Sequence, residues 1–123
     1  CLAGRGQHTH KLAAAGGLRD VGSLVEIVKQ ADLILSILPP SAAVTQAKSV
    51  ADAMNELGKT PTYVDCNAVS PETAREVGDV ISSTGATFID AGIIGLAPGH
   101  GAGPRFYVSG TIKFLQLDKM RRL

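Results

Sequence analysis

The sequence predicts a doubly wound α/β fold with a mostly parallel sheet, and three observations carry that prediction. Short apolar runs of strand length alternate with longer runs whose apolar residues recur at helical spacing, and turn or capping residues separate them. Strands joined by helices are joined by crossovers, and right-handed crossovers favour a parallel sheet with helices on both faces.

Taken in order, Cys1, Leu2 and Ala3 read as the tail of an apolar strand; the first residue is not methionine, so further sequence is expected upstream. A helix is expected from about Gln7 to Ala15, then a short strand around Leu18 to Val21. Ser23-Leu24-Val25-Glu26 forms a capping box that opens a short helix to about Gln30. Leu33 to Leu38 is a nearly continuous apolar run, the pattern of a strand covered on both faces, and Pro39-Pro40 ends it. From Ser41 onward Ala43, Ala47, Val50, Met54 and Leu57 repeat at helical spacing, with Gly58 as the stop. Thr62 to Asp65 is the next strand. Ser70-Pro71-Glu72 then combines an N-cap hydroxyl, a first-turn proline and a first-turn carboxylate. The helix that follows carries the stripe Ala74, Val77, Val80 and Ile81 and stops near Gly85, and Thr87 to Asp90 is the third strand. Ala91 to Pro104, rich in glycine and proline, is expected to be an ordered loop before a strand at Arg105 to Ser109. Residues 1–110 thus form one domain, and 111–123 an irregular or helical tail without a clear pattern.

A chain of 123 residues with 45% apolar residues can close one modest core. Charged residues are 19% and the formal net charge is +1, which gives no broad electrostatic reason to bind nucleic acid or an anionic membrane. No apolar run approaches the roughly 20 residues that cross a bilayer. With only Cys1 and Cys66, a disulfide framework is not expected, and a reducing, cytoplasmic setting fits.

In open α/β sheets, ligands bind outside the carboxyl ends of the strands. Three such ends stand out. At Leu38-Pro39-Pro40 the prolines remove two donors and leave a rigid apolar lip for a flat ring or ribose, or else merely terminate a strand. At the second, Asn67 offers a donor and an acceptor, or is an ordinary turn residue. At the third, Gly92 and Gly95 would let backbone amides approach a substrate carboxylate, or form a plain connection. Arg5, near His8, His10 and Lys11, follows the first strand remnant; no acidic residue stands there, so a phosphate-binding arginine, and NADP over NAD, is the expectation, against a solvated basic patch. The histidines lack the spacing of a metal site. Asp65 and Asp90 each end a predicted strand, where a loop cap is the commoner role than acid-base catalysis. No catalytic residue is assigned.

The stretches from Ala31 to Pro40, from Tyr63 to Pro71 and from Phe88 to Gly95 resemble successive landmarks of the β-hydroxyacid dehydrogenases, which include 3-hydroxyisobutyrate and 6-phosphogluconate dehydrogenases. The resemblance runs from about residue 1 to residue 110. It implies a Rossmann-like NADP-binding domain in which Leu38, Pro39 and Pro40 lie along the cofactor, Asn67 approaches the nicotinamide ribose, Arg5 meets the adenosine 2′-phosphate, and a small hydroxy acid or aldehyde is the substrate of an intact, homodimeric enzyme. Three departures accompany it. The family's glycine-rich pyrophosphate turn would precede residue 1, so the chain reads as truncated. Gly92, Ile94 and Leu96 replace the proline, serine and second glycine of the family's substrate motif. The family's catalytic lysine belongs to a helical domain beyond this sequence, and neither Lys113 nor Lys119 has its surrounding motif. The alternative is a non-catalytic module that self-associates through an open sheet edge.

Overall fold

A computed structural model describes residue 2, residues 4–95 and residues 103–109. The remaining positions, which include most of the expected first strand remnant and the tail 111–123, lie outside the described residues. The elements are α1 (Gln7–Ala15), α2 (Leu24–Gln30), β1 (Leu33–Ser36), a 3-10 turn at Pro40–Ala42, α3 (Ala43–Leu57), β2 (Thr62–Asp65), α4 (Pro71–Ser82), β3 (Phe88–Ile94) and β4 (Arg105–Ser109). The four strands form one sheet in the order β1-β2-β3-β4; β1, β2 and β3 are parallel, and β4 runs antiparallel to β3.

The helix boundaries follow local chemistry. Ser23 Oγ accepts from the Glu26 amide and Ser70 Oγ from the Thr73 amide, so each hydroxyl satisfies a donor that the first helical turn leaves free. The Glu26 carboxylate turns to Gln30 and Lys29, and the Gln30 amide, then the Lys29 charge, hold it below the ordinary range. Helix α3 ends at Gly58, whose φ of 63° suits the left-handed cap that a side chain would disfavour.

Strand β1 advances to β2 and β2 to β3 in one direction, and successive right-handed crossovers in one direction deposit their helices on the same face. The core shows this. Val28 of α2, the small residues Ala43, Ala47, Ala51 and Ala53 with Val50 and Met54 of α3, and Val77 and Ile81 of α4 pack on Ile34, Tyr63 and Phe88 of the strands. The Tyr63 and Phe88 rings stack with centroids 6.5 Å apart. Burial of each large aliphatic residue here contributes about 1.5–3 kcal/mol. The opposite face has a smaller cluster of Val64, Ile89 and Ala91 with Leu33, Leu35, Cys66 and Val108 beside it, all from the strands or their ends. Helices α2, α3 and α4 thus share one face of the sheet.

Three sequence expectations need correction. Leu18 to Val21 is not a strand among the described residues: Leu18 is 70% exposed, and the Asp20 carboxylate accepts from the amides of Gly22 and Leu2. Those two bonds hold the Asp20 carboxyl below its ordinary range. Strand β1 ends at Ser36 rather than Leu38, because Cys66 N donating to Ser36 O closes the backbone pairing and the Leu38 amide finds a side-chain partner. Strand β3 runs on through Ile94, so Ala91 to Ile94 is not loop but half of an antiparallel pair, with Ala91 opposite Val108 and Ile94 opposite Arg105. Asp90 therefore lies within its strand.

Candidate functional site

The register aligns a polar row across the sheet, level with the carboxyl ends of β1 and β2. Ser36 of β1 sits opposite Asp65 of β2, Asp65 opposite Asp90 of β3, and Asp90 opposite Ser109 of β4. Strand alternation places the row on the face that holds α2, α3 and α4. Ser36, Asp65 and Asn67 are all buried.

Asn67 joins the first two loops. Its Oδ1 accepts from the Leu38 amide at 2.6 Å, and its Nδ2 donates to Ser36 Oγ at 3.0 Å and to Asp65 Oδ1. The other Asp65 oxygen, Oδ2, is buried without a hydrogen-bond partner among the described residues, as is Tyr63 Oη. Burial raises the Asp65 carboxyl above its ordinary range, and the Asp90 charge adds to this while the Asn67 and Ser36 hydrogen bonds oppose it. Burial likewise pushes the Cys66 thiol up to about 11, with Asp65 and Asp90 contributing, so Cys66 is a poor nucleophile near neutral pH.

Beneath the Leu38 loop lies a cavity of about 400 Å³ between α2, α3 and β1. Its walls are largely aliphatic, with Leu24 and Ile27 from α2, Val50 from α3 and Ile34 to Leu38 from the β1 segment, and its polar groups come from Arg5, Ser36, Gln46 and Tyr63. That volume is within the roughly 300–1,000 Å³ of small-molecule sites, which are mostly apolar with a few polar groups that fix orientation. Arg5 is exposed, so its guanidinium meets an anion without the cost of leaving water.

Of the residues singled out in the sequence, Arg5 and Leu38 line this one cavity, Asn67 is bonded to Leu38, and the exposed Pro39 and Pro40 continue from Leu38 into the 3-10 turn. Gly92 lies elsewhere, in a separate depression of about 290 Å³ with Tyr107 and Ser109. Gly95, just after β3, has φ 134° and lies close to the backbone that leads into β4: a Cβ there would sit 3.0 Å from Pro104 Cα. A hairpin requirement thus explains the glycine at 95. Sequence reasoning did not single out Ser36, Gln46 and Tyr63; Ser36 had a visible signal as the lone hydroxyl in an apolar run, whereas nothing local marks Gln46 or Tyr63.

Comparison with known proteins settles the family. The profile of the NAD binding domain of 6-phosphogluconate dehydrogenase matches residues 3–120. The chain belongs to that family. Curated relatives of this NAD-binding domain include the mitochondrial 3-hydroxyisobutyrate dehydrogenase of Drosophila melanogaster, 33% identical over 101 residues, covering 80% of the chain and 30% of the relative. Another is the 3-hydroxyisobutyrate dehydrogenase of Pseudomonas aeruginosa, 27% identical over 95 residues, covering 76% and 32%. The chain thus spans about a third of the length of these relatives. Among solved structures, Mycobacterium tuberculosis 3-hydroxyisobutyrate dehydrogenase with L-serine superposes with a TM-score of 0.74 at 25% identity, over 96% of the chain and 40% of that protein. A Streptomyces aurantiacus imine reductase superposes at 0.70 with 18% identity, which speaks for the Rossmann-like fold alone. This is therefore a nicotinamide-dinucleotide-binding domain of the dehydrogenase type, and no helix among its described residues is long and apolar enough to cross a membrane.

Proposed function

We propose that the domain holds NADP(H) rather than NAD(H), as part of an enzyme that moves hydride between the cofactor and a small hydroxy acid or aldehyde. The observation that carries this reading is the cavity shared by Arg5 and Leu38, two residues far apart in sequence that flank one space of about 400 Å³. Arg5 is assigned to the 2′-phosphate, which its planar guanidinium suits, and Leu38, Pro39 and Pro40 to the wall along the adenosine half. A bound nicotinamide supplies the hydride chemistry; the contribution of this chain is to bind and orient the dinucleotide.

The backbone around Gly92 and Gly95 is assigned to the substrate side, and the substrate domain and a homodimer to the intact enzyme, because the relatives extend well beyond the span matched here. The compartment proposed is the cytoplasm, where a free thiol such as Cys66 stays reduced.

Titration with NADPH and NADH, followed by nucleotide fluorescence or calorimetry, tests the reading. NADPH should bind saturably and more tightly than NADH. Arg5→Ala should weaken NADPH by about tenfold to a hundredfold, the effect of losing a charge-assisted hydrogen bond, and leave NADH nearly unchanged. Absence of saturable NADPH binding at millimolar concentration would remove the proposal.

A further inference from the structure

We infer that Asn67 is a positioning residue: its side chain latches the β2 loop to the β1 loop and so sets the Leu38-Pro39-Pro40 lip, and it does so without touching the nucleotide itself. This deepens the dinucleotide-binding reading above and rests on it.

Engagement of both hydrogens of the Asn67 amide is the first ground. The side chain is only 6% exposed, and Nδ2 donates to both Ser36 Oγ and Asp65 Oδ1 while Oδ1 accepts from the Leu38 amide. The orientation of the amide is not arbitrary. A backbone N–H can only donate, so oxygen must face Leu38, and the nitrogen then faces Ser36 and Asp65. A ribose hydroxyl could reach neither amide hydrogen without breaking one of these buried bonds.

The second ground is the lip. Pro39 and Pro40 have no N–H, so the Leu38 amide is the last backbone donor before Ser41, and Asn67 Oδ1 is the acceptor that holds it. The fixed φ of the prolines carries the position of Leu38 forward into the 3-10 turn, where Ala42 N donates to Pro39 O. On the other side Val69 N donates to Asn67 O, which anchors the latch to its own loop. Leu38 lines the cavity shared with Arg5, so the lip and the proposed 2′-phosphate contact belong to the same half of the nucleotide. Release of the latch therefore disturbs the adenosine half.

That consequence separates a latch from a direct ribose contact, because 2′,5′-ADP contains no nicotinamide ribose. On the full chain, Asn67→Ala should weaken both NADPH and 2′,5′-ADP by about fivefold or more, the loss expected for one released hydrogen bond. Leu38 amide hydrogen exchange should accelerate in the same variant without nucleotide. Asn67→Asp keeps an oxygen for the Leu38 amide but sets a second carboxyl against Asp65. Relative to wild type at the same pH, its binding of 2′,5′-ADP should come closer to normal as the pH is lowered, because a proton shared by the two carboxyls relieves their repulsion, and should be weak at pH 8. Tyr63, Cys66 and Asp90, the other ionisable groups coupled to Asp65, are common to both proteins. Weakened NADPH with unchanged 2′,5′-ADP would overturn the latch and return Asn67 to direct contact, and so would unchanged Leu38 exchange in Asn67→Ala. If wild type binds neither nucleotide, the proposed function fails, and Leu38 exchange alone then decides the latch.

Discussion

Asp65 is a carboxyl group that stability alone would not choose. It is fully buried, one of its oxygens has no partner among the described residues, and its neighbour across the strands is another aspartate. With the folded-state pKa raised above the ordinary value of 3.8, the native protein holds a proton longer than the unfolded chain does. Its contribution to stability is therefore complete below about pH 3.8 and is lost as pH rises through the folded value. Asp65→Asn keeps an oxygen for Asn67 and removes the charge. Denaturant midpoints measured from pH 4 to pH 8 should fall with pH in wild type by more than in Asp65→Asn, and the variant should be the more stable protein at pH 8. A steeper decline in the variant would contradict the assignment. The sequence made Asn67 visible as a polar residue at a strand mouth, but not that its amide would be consumed by Leu38, Ser36 and Asp65, since two of these three partners lie in a different crossover unit.

Elements whose limits depend on local chemistry were readable in advance. Helix α4 begins at Pro71 after the Ser70 cap, and α3 ends before Gly58, because capping bonds and left-handed glycine are decided within one turn of chain. Strand limits were less legible. Whether Ala91 to Ile94 is strand or loop depends on whether another chain segment pairs with it, and β4 does; whether Leu18 to Val21 is a strand depends on the same condition, and among the described residues it is not one. The tight exit of this β3–β4 pair is the point of greatest local constraint. Gly95→Ala would combine a φ of 134° with a Cβ pressed against Pro104 Cα and Gly103 O, backbone atoms that cannot turn aside. It should destabilise the chain by about 1–3 kcal/mol, read as a lower urea midpoint. No change in the midpoint would mean that the β3–β4 turn contributes little to global stability.

At the scale of the molecule, α2, α3 and α4 and the strand face below them share one core, so the cavity lined by Arg5 and Leu38 is built from several elements at once. A ligand there should stabilise the whole core rather than one loop. At a free NADPH concentration near a hundred times its dissociation constant, linkage predicts about 2.7 kcal/mol of added stability. Thermal unfolding followed by far-ultraviolet dichroism should show one transition displaced upward by NADPH; a shift confined to a minor early phase would place the nucleotide on a peripheral surface.

The sequence by itself determined the alternation of strand and helix, the caps and the stripes that face the core, because these depend on residues within a few positions of one another. The resemblance to the β-hydroxyacid dehydrogenases was legible for the same reason: its landmarks are short contiguous runs. Only the tertiary structure decided how far β3 extends, that α2, α3 and α4 share a face, that Arg5 and Leu38 enclose one cavity, and that Asn67 spends its hydrogen bonds on the neighbouring loop. Each of these is a choice of partner between segments distant along the chain, and a buried donor or acceptor is satisfied by whichever group packing brings within reach.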